Sequence, residues 1–135
     1  MANNLTLHPT TVKQAQAAAL NTLIGANCKI DLYDGTQPAT PAVAVTTQNK
    51  LHSWVGNASG FGVASVGVIT ENAVANANSL LAGTPTWFRI SDSSSNAIMD
   101  GTVGASLCDM NLTPATISAA GQTMQYTGLT FTEAN

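Results

Sequence analysis

Charge is what this chain has least of. Only 11 of its 135 residues are Asp, Glu, Lys or Arg, about 8%, where an ordinary globular domain carries roughly a quarter. Each shortage excludes something. Lys13, Lys29, Lys50 and Arg89 are scattered, so no basic stripe is present to neutralise phosphates, and nucleic acid is not expected as a direct partner. The two histidines, His8 and His52, lie on different segments and offer no metal pair on one element. Two cysteines are too few for a disulfide scaffold. Cys28 and Cys108 each sit in an apolar–polar alternation, which suits a small buried hydrophobe. There is no Gly-x-Ser-x-Gly and no phosphate-cradling glycine loop followed by lysine. No stretch approaches the roughly 18 apolar residues of a membrane span. The start, Met1-Ala2-Asn3-Asn4, has neither the positive run nor the apolar stretch of a secretory signal, so synthesis in a cytoplasm is expected.

In place of charge stand Ala, Thr, Asn, Ser and Gly. A surface built from them is polar but nearly neutral, and a neighbouring subunit can cover it at little electrostatic desolvation cost. The seven acids, Asp31, Asp34, Glu71, Asp92, Asp100, Asp109 and Glu133, fall mostly at expected turns, where a solvated carboxylate is ordinary. Asp92 and Asp100 can face each other across an expected hairpin, but spacing and ligand count fall short of a Ca²⁺ site. The residues point to no catalytic group, no cofactor and no metal, and the chain reads as a non-enzyme.

One arm and one domain are expected: a polar arm over 1–10, then a single domain over 11–135 led by a helix over 11–24. Thr10 or Thr11 can cap that helix. Val12, Ala15 or Gln16, Ala19, Leu20, Leu23 and Ile24 make its apolar stripe, and Gly25 stops it. Its alanines make it slim enough to lie close against a sheet. Period-two alternation predicts a strand over 28–33, with Cys28, Ile30 and Leu32 on one face. Further strands are expected over 51–55, 63–69, 86–91, 97–103, 107–112 and 123–132. Asp34-Gly35 and 92–96 read as turns, 36–48 as a proline-stiffened extended loop, and 114–121 as a loop anchored by Ile117. Gly101 suggests a bulge. The last four strands read as an antiparallel meander, and helical crossovers are missing, so a parallel sheet is not expected. The fold class predicted is mainly β, an antiparallel, jelly-roll-like β-sandwich with one N-terminal helix. An incomplete barrel is the alternative.

Five residues stand out as a candidate interface: Tyr33, His52, Trp54, Trp87 and Arg89. Trp and Arg concentrate binding energy because they combine apolar area with directed hydrogen bonds. On a regular strand Trp87 and Arg89 share one face while Phe88 and Ile90 take the other. The alternative is that Trp87 packs on the far side of the sheet under the helix and Arg89 bonds a carboxylate. Trp54 either anchors the following glycine-rich loop on a partner or caps the core locally.

The order of several motifs resembles a known family. Ile30-Asp31-Leu32-Tyr33-Asp34-Gly35-Thr36-Gln37-Pro38-Ala39-Thr40-Pro41, then Thr86-Trp87-Phe88-Arg89-Ile90, then Asp100-Gly101-Thr102-Val103-Gly104, then Asp109-Met110-Asn111-Leu112 and Ile117-Ser118-Ala119-Ala120-Gly121-Gln122 together resemble small tailed-bacteriophage and prophage virion proteins over about residues 11 to 132. The aromatic segment over 48–55 and the asparagines of 71–79 depart from that pattern. The resemblance implies a virion structural protein. Its leading form is a capsid decoration or cement protein on the capsid surface, assembled in the bacterial host cytoplasm. Its implied partners are the phage major capsid protein and further copies of itself as a homo-oligomer, with no membrane partner. A tail, collar or head–tail connector part is the second form. A receptor- or glycan-binding module, with Trp54 and Tyr126 stacking on sugars, is a third reading.

Overall fold

The computed structural model describes residues 6, 8–63, 67–126 and 128–132; most of the arm expected over 1–10 lies outside them. The chain enters through a π-helical turn, Pro9–Lys13, that runs into α1, Gln14–Ile24. Here the expected cap is corrected. Neither Thr10 nor Thr11 caps the turn. The ring Nδ1 of His8 accepts the Thr11 amide at 3.2 Å. The stripe is corrected too. Val12 and Leu23 are exposed, and the buried side is Ala17 and Ile24 with Leu20 packed beside them. The widened first turn rotates the helix relative to an ideal 3.6-residue repeat, and Ala17 lets it approach closely. Gly25 ends it at φ +67°, a left-handed conformation that suits glycine.

Among the described residues ten strands follow: β1 Lys29–Tyr33, β2 Lys50–Val55, β3 Phe61–Val63, β4 Val68–Glu71, β5 Ala77–Asn78, β6 Trp87–Ser91, β7 Ala97–Gly104, β8 Met110–Thr113, β9 Thr123–Tyr126 and β10 Thr130–Thr132. Seven form one sheet in the order β2-β1-β6-β7-β8-β9-β5, and three form a second in the order β10-β4-β3. The large sheet curls until its ends meet. The amides of Leu80 and Leu81, just past β5, donate to the Leu51 carbonyl on β2 at 2.8 and 3.2 Å. The fold is therefore mainly β with one N-terminal helix and a nearly closed, barrel-like sheet. The small sheet and α1 cover one side, and Ala17, Ile24, Phe61, Ile69 and Leu129 join the same core as Ile30, Leu32, Phe88, Ile90, Met110 and Met124.

Several expected strands divide or turn differently. The stretch 63–69 is not one strand: β3 and β4 pair antiparallel, Phe61 opposite Glu71. The stretch 123–132 is not one strand either. β9 pairs β8 in the large sheet, while β10 pairs β4 in the small one. The meander is interrupted as well, because β7 and β8 run parallel over Val103↔Met110 and Gly104↔Asn111. A parallel pair ordinarily needs a crossover of a dozen residues or more. Here a tight loop suffices, because Asp109 Oδ2 accepts the Thr102 amide and hydroxyl, both at 2.8 Å, and Leu107 takes a left-handed φ of +57°.

Gly101 does not mark a bulge. It lies in regular register opposite Phe88, and the irregularity falls between Ile90 and Ser91. Its role is space: a Cβ there would sit 2.5 Å from the Phe88 ring. Gly101→Ala is therefore expected to cost about 1–3 kcal/mol by overpacking, read as a lower urea midpoint with an unchanged denaturant slope.

Candidate functional site

Two polar constellations lie on opposite faces of the large sheet. The first is on its outer face. Register places Ser53, Asp31, Arg89 and Asp100 side by side across β2, β1, β6 and β7. Ser53 Oγ donates to Asp31 Oδ1 at 2.6 Å, and Lys50 Nζ meets Asp31 Oδ2 at 2.7 Å. Arg89 grips Asp100 with a fork, Nε to Oδ1 at 2.7 Å and Nη2 to Oδ2 at 2.8 Å, and its Nη1 donates to the Val43 carbonyl at 3.0 Å. The loop between β1 and β2 closes over this row. Trp87 Nε1 donates to the Asp34 carbonyl at 3.0 Å, and the Tyr33 and Trp87 rings stack at 4.6 Å. Arg89 lies 5.4 Å from the Trp87 ring centroid, a cation–π distance. Asp31, Tyr33, Trp87 and Arg89 are all buried. Two carboxylates meet two cations, so the row is neutral. Its hydrogen bonds hold Arg89 firmly protonated, Asp100 first among them. Burial, then the charge of Asp31, pushes the Tyr33 hydroxyl up.

Around the row, other acids tie down turns. Asp34 accepts the amide and side-chain nitrogen of Asn49 at 2.6 and 2.9 Å, which holds its carboxyl below the usual range. Asp92 accepts the amides of Ser94 and Asn96, both at 2.9 Å. The expected facing of Asp92 and Asp100 does not occur, since one serves the turn and the other Arg89. Asp31 and Asp100 sit within the strands expected over 28–33 and 97–103.

The second constellation opens on the inner side, where β4, β9 and the segments beside them leave a cavity of about 280 Å³. Trp54, Glu71, Asn72, Val74, Gln125 and Tyr126 are among its lining residues. The Tyr126 hydroxyl donates to Glu71 Oε1, and the Leu129 amide donates to Oε2 at 3.0 Å. Glu71 thus clamps the small sheet to β9 of the large one. Burial raises the Glu71 carboxyl above its usual range despite those bonds. Burial and then the Glu71 bond push the Tyr126 hydroxyl up. Burial and then the Glu71 charge raise the Cys28 thiol to about 11. Trp54 and Tyr126 tilt together at 4.6 Å, and His52 meets Trp54 edge-on at 4.0 Å.

His52 is fully buried, and neither ring nitrogen has a hydrogen-bond partner. Burial lowers its pKa from 6.5 to about 4, against an opposing pull from Asp31. The five residues singled out from the sequence therefore separate into two groups: Tyr33, Trp87 and Arg89 outside, His52 and Trp54 inside. None is more than 7% exposed. Arg89 does bond a carboxylate, and Trp87 packs beneath the β1–β2 loop, not beneath the helix. Glu71, the centre of the inner site, went unnoticed because it reads as one more acid beside a turn. Cys28 and Cys108 are free thiols, and among the described residues no three His, Cys, Asp or Glu side chains group to hold a metal.

No family model, curated protein or solved structure matches the chain in comparison searches.

Arg89→Met is expected to cost about 3–5 kcal/mol, because it strands the buried Asp100 carboxylate; chemical denaturation measures it. His52 predicts an acid-side loss. Its folded pKa lies below its unfolded one, so the unfolded chain binds the extra proton, and the stability His52 contributes above pH 6.5 drains away as pH falls towards 4. The full effect is about 3 kcal/mol. His52→Leu should flatten that part of the pH–stability curve and leave stability at pH 7 unchanged or higher, since it removes two unpaired buried nitrogens.

Proposed function

We propose that this chain is a non-enzymatic virion structural protein of a tailed phage, and within that class a capsid decoration protein that binds the outside of the head and ties major capsid subunits together. The observation that carries the reading is where the charge goes. Asp31, Arg89 and Asp100 are consumed in a buried ion-pair row beneath the β1–β2 loop. Asp34, Asp92 and Asp109 are spent on backbone amides. What faces outward is mostly amide, hydroxyl and methyl groups, with apolar side chains among them. Leu107 is fully exposed, and Val55, Leu80 and Leu81 are about half exposed. A neighbour can cover such a surface without stripping water from ions.

The resemblance of the ordered motifs to those of phage virion proteins points the same way. It does not require the jelly-roll connectivity; a nearly closed barrel presents loops and a small-sheet edge equally well. Attachment would act by mass action, favouring the shell state that carries the site, and many weak copies on a symmetric lattice would add through effective concentration. Because the five candidate interface residues are buried, adhesion would run through the loops and exposed apolar tips.

The test is to locate and count this chain in purified particles by mass spectrometry and cryo-EM. Copies comparable in number to the major capsid protein, placed on the head, support decoration. A ring of a few copies at the tail or collar moves the protein to the connector class. Absence from particles overturns the reading. Attachment to shells should also resist salt: between low and high ionic strength its Kd is expected to change by less than about threefold, because few charges are there to screen.

A further inference from the structure

The cavity at the junction of the two sheets holds a carboxylate without a counter-charge. Glu71 receives hydrogen bonds from Tyr126 and Leu129, which leaves accepting capacity on both oxygens. Among the described residues no Lys, Arg or His lies within ion-pair distance of it. The titratable groups around it are Tyr126 and Cys28, both acids kept protonated by burial. The next one out, His52 beside Trp54, is neutral above about pH 4. Elsewhere the same chain pairs its strand carboxylates with cations, Asp31 with Lys50 and Asp100 with Arg89. At Glu71 it supplies none.

The walls suit a particular complement. Trp54 and Tyr126 line the cavity beside the carboxylate, and aromatic walls next to an acid favour an organic cation, through ring quadrupole and charge together. The cavity, about 280 Å³, is at the small end for ligands and matches one long side chain or a small amine.

We propose that this cavity is a binding site for an organic cation, an alkylammonium or guanidinium head that reaches Glu71 alongside the paired Trp54 and Tyr126 rings. The inference stands apart from the virion reading. The head can come from a free small amine or from a lysine or arginine side chain of another protein; the chemistry recognised is the same.

The experiment titrates the full chain with n-butylammonium, its neutral isostere n-butanol, methyl glucoside, and a capped Gly-Lys-Gly peptide with its acetyl-lysine counterpart, at fixed ionic strength. The Glu71 carboxyl and the Trp54 indole are followed by NMR. Saturable shifts at the cavity with n-butylammonium, with the lysine peptide, or with both, are expected. In the same samples the Glu71 pKa should fall by about one unit, the linkage signature of roughly tenfold tighter binding to the ionised carboxyl. The peptide arm distinguishes a protein side chain from a free amine. Glu71→Gln should weaken binding about tenfold; if that variant fails to fold, the pKa shift in the native chain decides alone. The proposal is overturned if n-butanol, methyl glucoside or the acetylated peptide binds as well as its charged counterpart, if inorganic salt alone moves Glu71 equally, or if no titrant shifts the cavity resonances.

Discussion

The fork between Arg89 and Asp100 is the interaction on which the outer half of this molecule rests. β6 is buried on both faces along its whole length, so the side pointing away from the barrel interior must be covered and its polar atoms satisfied. Arg89 does both tasks at once. Its two donors to Asp100 neutralise a buried acid, its third fixes the loop carbonyl of Val43, and its plane lies near the Trp87 ring. Asp31, one strand away, is held by Lys50 and Ser53. A buried ion pair of this kind adds little net stability over a well-packed apolar pair, but it penalises every arrangement that leaves one member unpaired. Its effect is to specify how the β1–β2 loop lies on the sheet.

The inner face follows a different electrostatic rule. There the acid is not paired with a cation: burial raises the Glu71 carboxyl above its usual range, and hydrogen-bond donors alone hold it. The contrast within one small chain is informative. Where the fold needs a carboxylate for its own architecture, a cation stands in register across the sheet. Where no cation is provided, a cavity opens beside the carboxylate. His52 contributes to the same interior as an unpaired ring, a local sacrifice that makes the barrel's lining sensitive to acid.

The sequence made the barrel wall legible because alternation reports directly on faces. Cys28, Ile30 and Leu32 line the interior as their spacing predicts, Phe88 and Ile90 join them, Ile117 anchors its loop through paired bonds to Gly83, and Asp34 and Asp92 organise their turns. What alternation cannot report is which strand lies beside which. The parallel contact of β7 with β8, the closure of β5 onto β2, and the passage of 123–132 between two sheets are all set by contacts between distant residues. The helix stripe departs from the expected one because the π-turn changes the phase that a uniform 3.6-residue repeat assumes. Both polar sites share this origin. Arg89 was visible as an unusual residue in a strand, but Asp100 and Asp31 became its neighbours only through register. Glu71 carries no local mark, since its partners Tyr126 and Leu129 lie more than fifty residues away.

The division of the C-terminal segment between β9 and β10 has a consequence for how the chain reaches its native state. The hairpin of β3 and β4 lies in the middle of the sequence, yet β4 receives its second neighbour only from Thr130–Thr132. A ribosome delivering this polypeptide releases the hairpin long before that neighbour emerges. During the interval one margin of β4, with its unpaired amides and carbonyls, stays open to any extended segment nearby. The later-made strand is thus the seal, and pairing between nascent chains has its opportunity before that seal arrives.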